Sequence, residues 1–224
     1  MKITEIDKNF KIASASQKDG IVFYDVENQP FRIYGLAKEN GTWRRMPQKV
    51  AHQVSEGVYA LHTHTAGGRV RFVTNSSFVA VRTQQDGIGV MPHMALSGSA
   101  GFDVYTQTGS AAQRYRGTFV PPSEINGGYE SVVCFEETES KTVTIYFPLY
   151  SNVSRLEIGL SEHAMLKEAP DYTIEKPIVY YGSSITQGGC ASRPGSAYQS
   201  ILSRRFDCNY INLGFSGAAK AEDM

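Results

Sequence analysis

The sequence predicts a mainly β chain: an N-terminal jelly-roll-like β-sandwich followed by the first β-α-β of an α/β/α domain. Three observations lead there. Short β-rich segments separated by turn residues recur through residues 1 to about 165. Two of them, Val70-Arg71-Phe72-Val73 and Val143-Thr144-Ile145-Tyr146-Phe147, alternate in a way that marks one buried and one wet face. Near residue 178 the period changes, to a short apolar run, then apolar residues at helical spacing, then a second run.

Strands are expected over residues 21–25, 31–36, 58–63, 69–74, 78–83, 102–106, 114–120, 129–135, 143–147 and 155–160. Glu39-Asn40-Gly41, Gly67-Gly68, Gln85-Asp86-Gly87 and Asn126-Gly127-Gly128 are turn signals between them. No helix of useful length is expected there. About ten strands favour a sandwich over an open sheet, and a domain of this length can bury its own core. The expected division is a sandwich over 1–170, a linker over 171–176 and an α/β segment over 177–224.

Within that segment, the apolar run 178–181 reads as a buried parallel strand ended by Gly182. Behind a break at Pro194-Gly195, Ala197, Tyr198, Ile201, Leu202 and Phe206 share one helical face. Residues 208–213 form the next strand, and Gly214-Phe215-Ser216-Gly217 turns out of it. Two strands and one helix make too small a core to stand alone. Ile178, Tyr180, Ile201, Leu202, Tyr210 and Ile211 are therefore expected to pack on the sandwich or on another polypeptide.

This layout sets Ser184 at the carboxyl end of a strand, where open α/β sheets bind ligands. Gly182-Ser183-Ser184-Ile185-Thr186-Gln187-Gly188 resembles block I of the SGNH/GDSL hydrolases, G-D-S-I-T-x-G, with Ser183 in place of the usual Asp. Asn212-Leu213-Gly214-Phe215-Ser216-Gly217 looks like block II of the same family. Gly101-Phe102-Asp103-Val104-Tyr105 resembles the Gly-x-Asp-Leu-Tyr signature of a domain that precedes the catalytic domain in one group of SGNH-type esterases, with Val104 for Leu.

The resemblance implies that Ser184 is the nucleophile and that its N–H and that of Gly217 serve an oxyanion hole. Glycine suits that position because the backbone must approach the reacting carbonyl closely. Competing readings are a helix-capping serine and a plain turn glycine; the strand, the glycines and block II together favour the catalytic roles. Thr186 and Arg193 are candidate loop or substrate contacts, although Arg193 could equally fix the start of the helix. The family's Gly-x-Asn-Asp and Asp-x-x-His blocks have no counterpart. All five histidines (His52, His62, His64, His93 and His163) precede Ser184. A serine hydroxyl needs an adjacent base, so the chain reads as the front of an esterase lacking its catalytic His and Asp, inert as it stands.

The activity so implied is serine ester hydrolysis removing small acyl groups, acetyl above all, from carbohydrate-like substrates, with no cofactor and no metal. A carbohydrate- or partner-binding sandwich and an acyltransferase are the alternatives. Twenty-two basic and 22 acidic residues balance, so neither nucleic acid nor an anionic membrane is an expected partner. Expected partners are a small-molecule or oligosaccharide ester and, structurally, a second copy or a companion C-terminal fragment. Cys134, Cys190 and Cys208 are too few for a disulfide framework. With no apolar leader at the N-terminus, they suggest the cytoplasm. Cys190 reads as a small loop residue. His62-Thr63-His64 places two imidazoles on one strand face, read as solvated rather than as metal ligands.

Overall fold

The period-2 segments fold as two antiparallel sheets that share one apolar core. A computed structural model describes residues 19–221 apart from 89, 123, 124 and 136. Residues 1–18 of the expected sandwich, and 222–224 of the expected α/β segment, lie outside the described residues. One sheet runs β1 (Ile21–Asp25), β11 (Arg155–Ser161), β6 (Phe78–Gln84), β9 (Gly128–Cys134). The other runs β12 (Leu166–Lys167), β5 (Arg69–Thr74), β10 (Lys141–Tyr146), β7 (Phe102–Gln107), β8 (Arg114–Phe119), and β2 (Arg32–Tyr34) also pairs with β5. A separate hairpin, β3 (Ala37–Glu39) and β4 (Thr42–Arg44), turns at Asn40-Gly41, both with positive φ, as a two-residue hairpin loop requires.

Alternate residues fill the core: Val70 and Phe72 from β5, Phe102 and Val104 from β7, Val143 and Ile145 from β10, facing Val79, Val81, Leu156 and Ile158. On the other side of the same sheet, Arg69, Arg71, Asp103, Tyr105 and Tyr146 are also buried. The C-terminal segment covers them.

One expected strand is wrong. Residues 58–63 lie mostly in a helix, α2 (Glu56–Leu61), which follows α1 (Gln48–Val54) directly. Val58, Tyr59 and Leu61 read as strand formers, but Ser55 caps the helix by accepting from the Val58 N–H at 3.3 Å. Ala51 and Val58 then bury against Phe215 and Ala218, and tertiary packing overrides propensity. A further short helix, α3 (Leu96–Ser99), precedes β7.

In the C-terminal segment β13 (Ile174–Gly182) and β14 (Cys208–Gly214) pair in parallel. α4 (Ser184–Gln187), a 3₁₀ turn (Pro194–Ser196) and α5 (Tyr198–Phe206) lie between them. Tyr172, just ahead of β13, is buried against Arg69 and Arg71. Arg69 is fully buried: Nε donates to the Tyr172 hydroxyl at 2.9 Å, Nη1 to the carbonyls of Gly67 at 2.8 Å and Tyr210 at 3.1 Å, and Nη2 to Asn209. Its guanidinium lies 4.0 Å from the Tyr210 ring centre.

On α5 the polar side, rather than the apolar stripe, meets the rest of this chain. Tyr198, Ile201 and Phe206 face solvent, while Gln199, Ser200 and Ser203 are buried. Each of these polar side chains makes a hydrogen bond: Gln199 donates to the Thr186 carbonyl, Ser200 bonds the Tyr210 hydroxyl, and Ser203 donates to the Cys208 carbonyl. Ile178 too is exposed, whereas Tyr210 packs on the sandwich as expected.

Two outcomes follow from this interface. Arg69→Met leaves the Tyr172 hydroxyl, Asn209 and the Tyr210 carbonyl without their donor, which should cost about 3 kcal/mol. Thermal unfolding should show it as a Tm lower by about 6–12 °C for a chain this size. Arg69→Lys should recover less than half, because an ammonium cannot reproduce the planar fork. Burial pushes the Asp103 carboxyl up to about 7, against the opposing pull of the Gly195 N–H and of Arg204 and Arg193. A carboxyl raised in the fold holds its proton more tightly folded than unfolded, so its contribution is lost as pH rises from about 4 to about 7. Between pH 5 and pH 8, wild type should lose about 2 kcal/mol relative to Asp103→Asn in denaturant titrations. Parallel pH profiles for the two proteins would refute this.

Candidate active site

β13 ends at Gly182, Ser183 follows exposed, and Ser184 opens α4 half-buried at the carboxyl end of the strand. A first helical residue keeps an N–H with no intrahelical acceptor. The carbonyl of Ser184 accepts from the N–H groups of Gly188 at 3.0 Å and Gly189 at 2.7 Å, which curls the loop back under it.

β14 delivers the Gly214-Phe215-Ser216-Gly217 turn alongside. A Cβ on Gly214 would lie 2.1 Å from the Gln187 nitrogen, so strand end and helix meet backbone to backbone. Gln187 is fully buried and ties three parts together. Its Oε1 accepts from the Ser216 N–H at 2.9 Å, and its Nε2 donates to the Leu149 carbonyl of the sandwich at 3.1 Å. Asn212 Nδ2 donates to the Thr186 carbonyl and its Oδ1 accepts from the Gly214 N–H, both at 2.8 Å. From the sandwich, Arg45 donates to the carbonyls of Gly214 and Leu61 and lies 4.5 Å from the Phe215 ring centre. Burial lowers its guanidinium to about 9. Gly217 is left-handed, φ 71°, with open space where a Cβ would stand.

A cleft of about 300 Å³ faces Ser184. Ser184, Ile185, Gly189, Cys190 and Ser216 line one side; Met91, His93, Met94 and Tyr150 of the sandwich line the other. Tyr150 donates to the Ser184 carbonyl at 3.4 Å, and burial pushes its hydroxyl up, so it stays a neutral donor. A second cavity of about 330 Å³ is apolar, lined by Met46, Val54, Val58, Tyr181, Leu213 and Phe215.

The other expected site residues lie elsewhere. Thr186 is buried, its hydroxyl 3.3 Å from that of Tyr198. Arg193 faces the sandwich, its Nε 3.6 Å from Asp103 and its guanidinium 4.2 Å from the Tyr115 ring centre. His62 and His64 are not solvated strand residues. His62 is buried, donating from Nδ1 to the Tyr59 carbonyl and accepting at Nε2 from Arg44 at 2.7 Å. His64 contacts Gln187 at 3.2 Å, and burial lowers its imidazole to about 4. Both were misread because they follow a helix rather than lie in a strand. Among the described residues no group of three His, Cys, Asp or Glu could hold a metal ion. Sequence reasoning missed Met91, His93, Met94 and Tyr150, which carry no motif and reach the cleft only through domain docking.

Residues 21–166 match the family profile described as GxDLY, the N-terminus of the SGNH-hydrolase-type esterase. Residues 175–224 match the GDSL-like lipase/acylhydrolase family. A structure described as a GDSL-like lipase from Bacteroides ovatus is 31% identical, with a TM-score of 0.81, over 90% of this chain and 58% of that one. A salicylyl-acyltransferase from a tetracycline biosynthetic pathway shares the fold at 20% identity and TM-score 0.64, over 89% of this chain and 55% of that one. A family two carbohydrate esterase from Cellvibrio japonicus does so at 10% identity and TM-score 0.54, over 88% and 53%. The chain thus spans little more than half the length of these structures. Comparison with curated proteins returned no match. The mostly β architecture, the Ser184 strand end and the two family profiles agree, and the chain belongs to the SGNH-type esterases with a GxDLY N-terminal domain.

Proposed function

We propose that this chain carries the nucleophile half of a serine ester hydrolase that removes small acyl groups, acetyl first among them, from carbohydrate-like substrates. The observation that supports it best is Ser184 at the head of α4, facing a cleft, with the 214–217 turn fastened beside it through Gln187. The Ser184 hydroxyl oxygen attacks the ester carbonyl, and its proton passes to a base. The N–H groups of Ser184 and Gly217 hold the developing oxyanion. The alkoxide of the substrate leaves with that proton, and water repeats the sequence on the acyl-enzyme to release the acid. The base and its carboxylate belong, on this reading, to the portion of such hydrolases that the chain does not span. A cleft of about 300 Å³ is at the small end of ligand pockets, which suits a short acyl group on part of a sugar better than a long lipid chain.

Acyl transfer uses the same intermediate with a sugar or metabolite hydroxyl replacing water. Adding acceptor alcohols and looking for a new ester separates the two.

The polypeptide produced from the intact gene should hydrolyse p-nitrophenyl acetate, and Ser184→Ala should lower kcat by at least about 10³-fold. The 224-residue chain alone should turn over below about 1 s⁻¹. Full activity in Ser184→Ala would remove the proposed nucleophile. Gly217→Ala meets no atom and should cost only the strain of a positive φ, about 1 kcal/mol. Gly214→Ala drives a methyl into the α4 backbone and should cost about 2–3 kcal/mol in thermal melts. Equal losses would mean that the two chain segments are not in the contact described.

A further inference from the structure

We infer that Asp103 is a positioning residue: it clamps the loop over residues 189–196 to the sandwich and so sets the Cys190 side of the Ser184 cleft. Asp103 is fully buried on the outer face of β7, between Phe102 and Val104, which point into the sandwich core. Both of its carboxylate oxygens accept from the Gly195 N–H, each at 3.0 Å. Arg193 Nε stands 3.6 Å from Oδ2. Arg204 closes the ring from α5: it donates to the Gly195 carbonyl at 2.8 Å and lies 4.0 Å from the Tyr105 ring centre. A Cβ at Gly195 would come within 2.5 Å of the Tyr105 ring and 2.7 Å of Asp103, so no other residue brings the loop this close.

The same loop is tied at a second point. Ser97 of α3 donates to the Ser192 carbonyl at 2.6 Å, and a Cβ on Gly98 would lie 2.1 Å from the Ala191 carbonyl. Between Ser184 and these ties run the rest of α4, Gly188, Gly189 and Cys190, and of these Ile185, Gly189 and Cys190 line the cleft. Moving Gly195 off Asp103 therefore moves a cleft wall.

Adhesion alone does not explain a carboxylate here. A buried charge costs several kcal/mol to desolvate, and apolar residues of similar volume usually hold two surfaces together at least as well. What a carboxylate adds is geometry, because only one placement of an N–H satisfies both oxygens. The clamp is independent of the esterase reading; only its consequence for catalysis rests on that reading.

Hydrogen exchange by mass spectrometry on the 224-residue chain tests the clamp without any turnover. In Asp103→Leu, amides of residues 190–197 should lose at least tenfold in protection, with those of β10 and β11 within twofold of wild type. Asp103→Asn keeps one acceptor for the Gly195 N–H and should recover part of the loss. Iodoacetamide should alkylate Cys190 at least threefold faster in Asp103→Leu, compared in a Cys134→Ser background. Unchanged protection at 190–197, or a loss spread evenly through β10 and β11, would overturn the inference. Should Asp103→Leu fail to fold, Asp103→Asn decides: a local loss of threefold or more supports the clamp, and none refutes it. If the clamp holds while Ser184→Ala in the intact gene product keeps full activity, the esterase reading fails and the clamp stands.

Discussion

A buried guanidinium joins the two halves of the chain, and much around it follows from keeping it hydrogen-bonded. Arg69 has no water to donate to, and an unsatisfied buried charge costs several kcal/mol. Its partners come from both sides: the Gly67 carbonyl from the sandwich, the Tyr172 hydroxyl from the crossing segment, and Asn209 and the Tyr210 carbonyl from β14. β14 cannot shift along the sandwich without breaking several of these bonds at once. Arg71, two residues on, stacks 4.1 Å from the Tyr172 ring centre and covers the same ring from the next row of the sheet. The register of β14 then fixes where Gly214 and the turn after it arrive, and Ser184 is placed through α4, whose Gln187 meets that turn.

The geometry around Ser184 is thus shared between the halves. Gln187 reaches the Ser216 N–H on one side and the Leu149 carbonyl on the other. Arg45 holds the Gly214 carbonyl from a position more than 160 residues earlier in the chain. Tyr150 touches the backbone of Ser184 itself. The sandwich supplies four of the nine residues that line the cleft and part of the support for the 214–217 turn. Treating it as a module tethered to an independent catalytic unit would miss those contacts.

Local signals were legible in the sequence. The strands of the sandwich, the β-α-β unit and the place of Ser184 all rest on period, glycines and short-range motifs. What could not be read depends on contacts between distant residues. Residues 58–63 carry strand-forming side chains, and only the Ser55 cap and the docking of Val58 on Ala218 make them helical. The amphipathic reading of α5 found a real apolar stripe but not that the polar side would meet the rest of the chain, where Gln199, Ser200 and Ser203 are buried and hydrogen-bonded. Met91 and Met94 look like any loop methionines until the halves meet. Exposed apolar side chains also remain at Ile178, Val179, Tyr181 and Ile201.

Alternation itself has a limit that this sheet exposes. A polar residue every second position says that one face is not apolar core; it does not say that water covers that face. In β5, β7 and β10 the face that reads as wet holds Arg69, Asp103 and Tyr146, all buried under the C-terminal segment. Solvent and a hydrogen-bonded polar interface both offer partners to donors and acceptors, so they select the same pattern. The Gly-x-Asp-Leu-Tyr-like run shows both uses within five residues: Phe102 and Val104 build the sandwich, while Asp103 and Tyr105 build the junction. This bears on the alternative of a free binding module. One broad face such a module would offer to a sugar or a partner, that of β5, β10 and β7, is occupied from within the chain, and the cleft at Ser184 opens where the two halves meet.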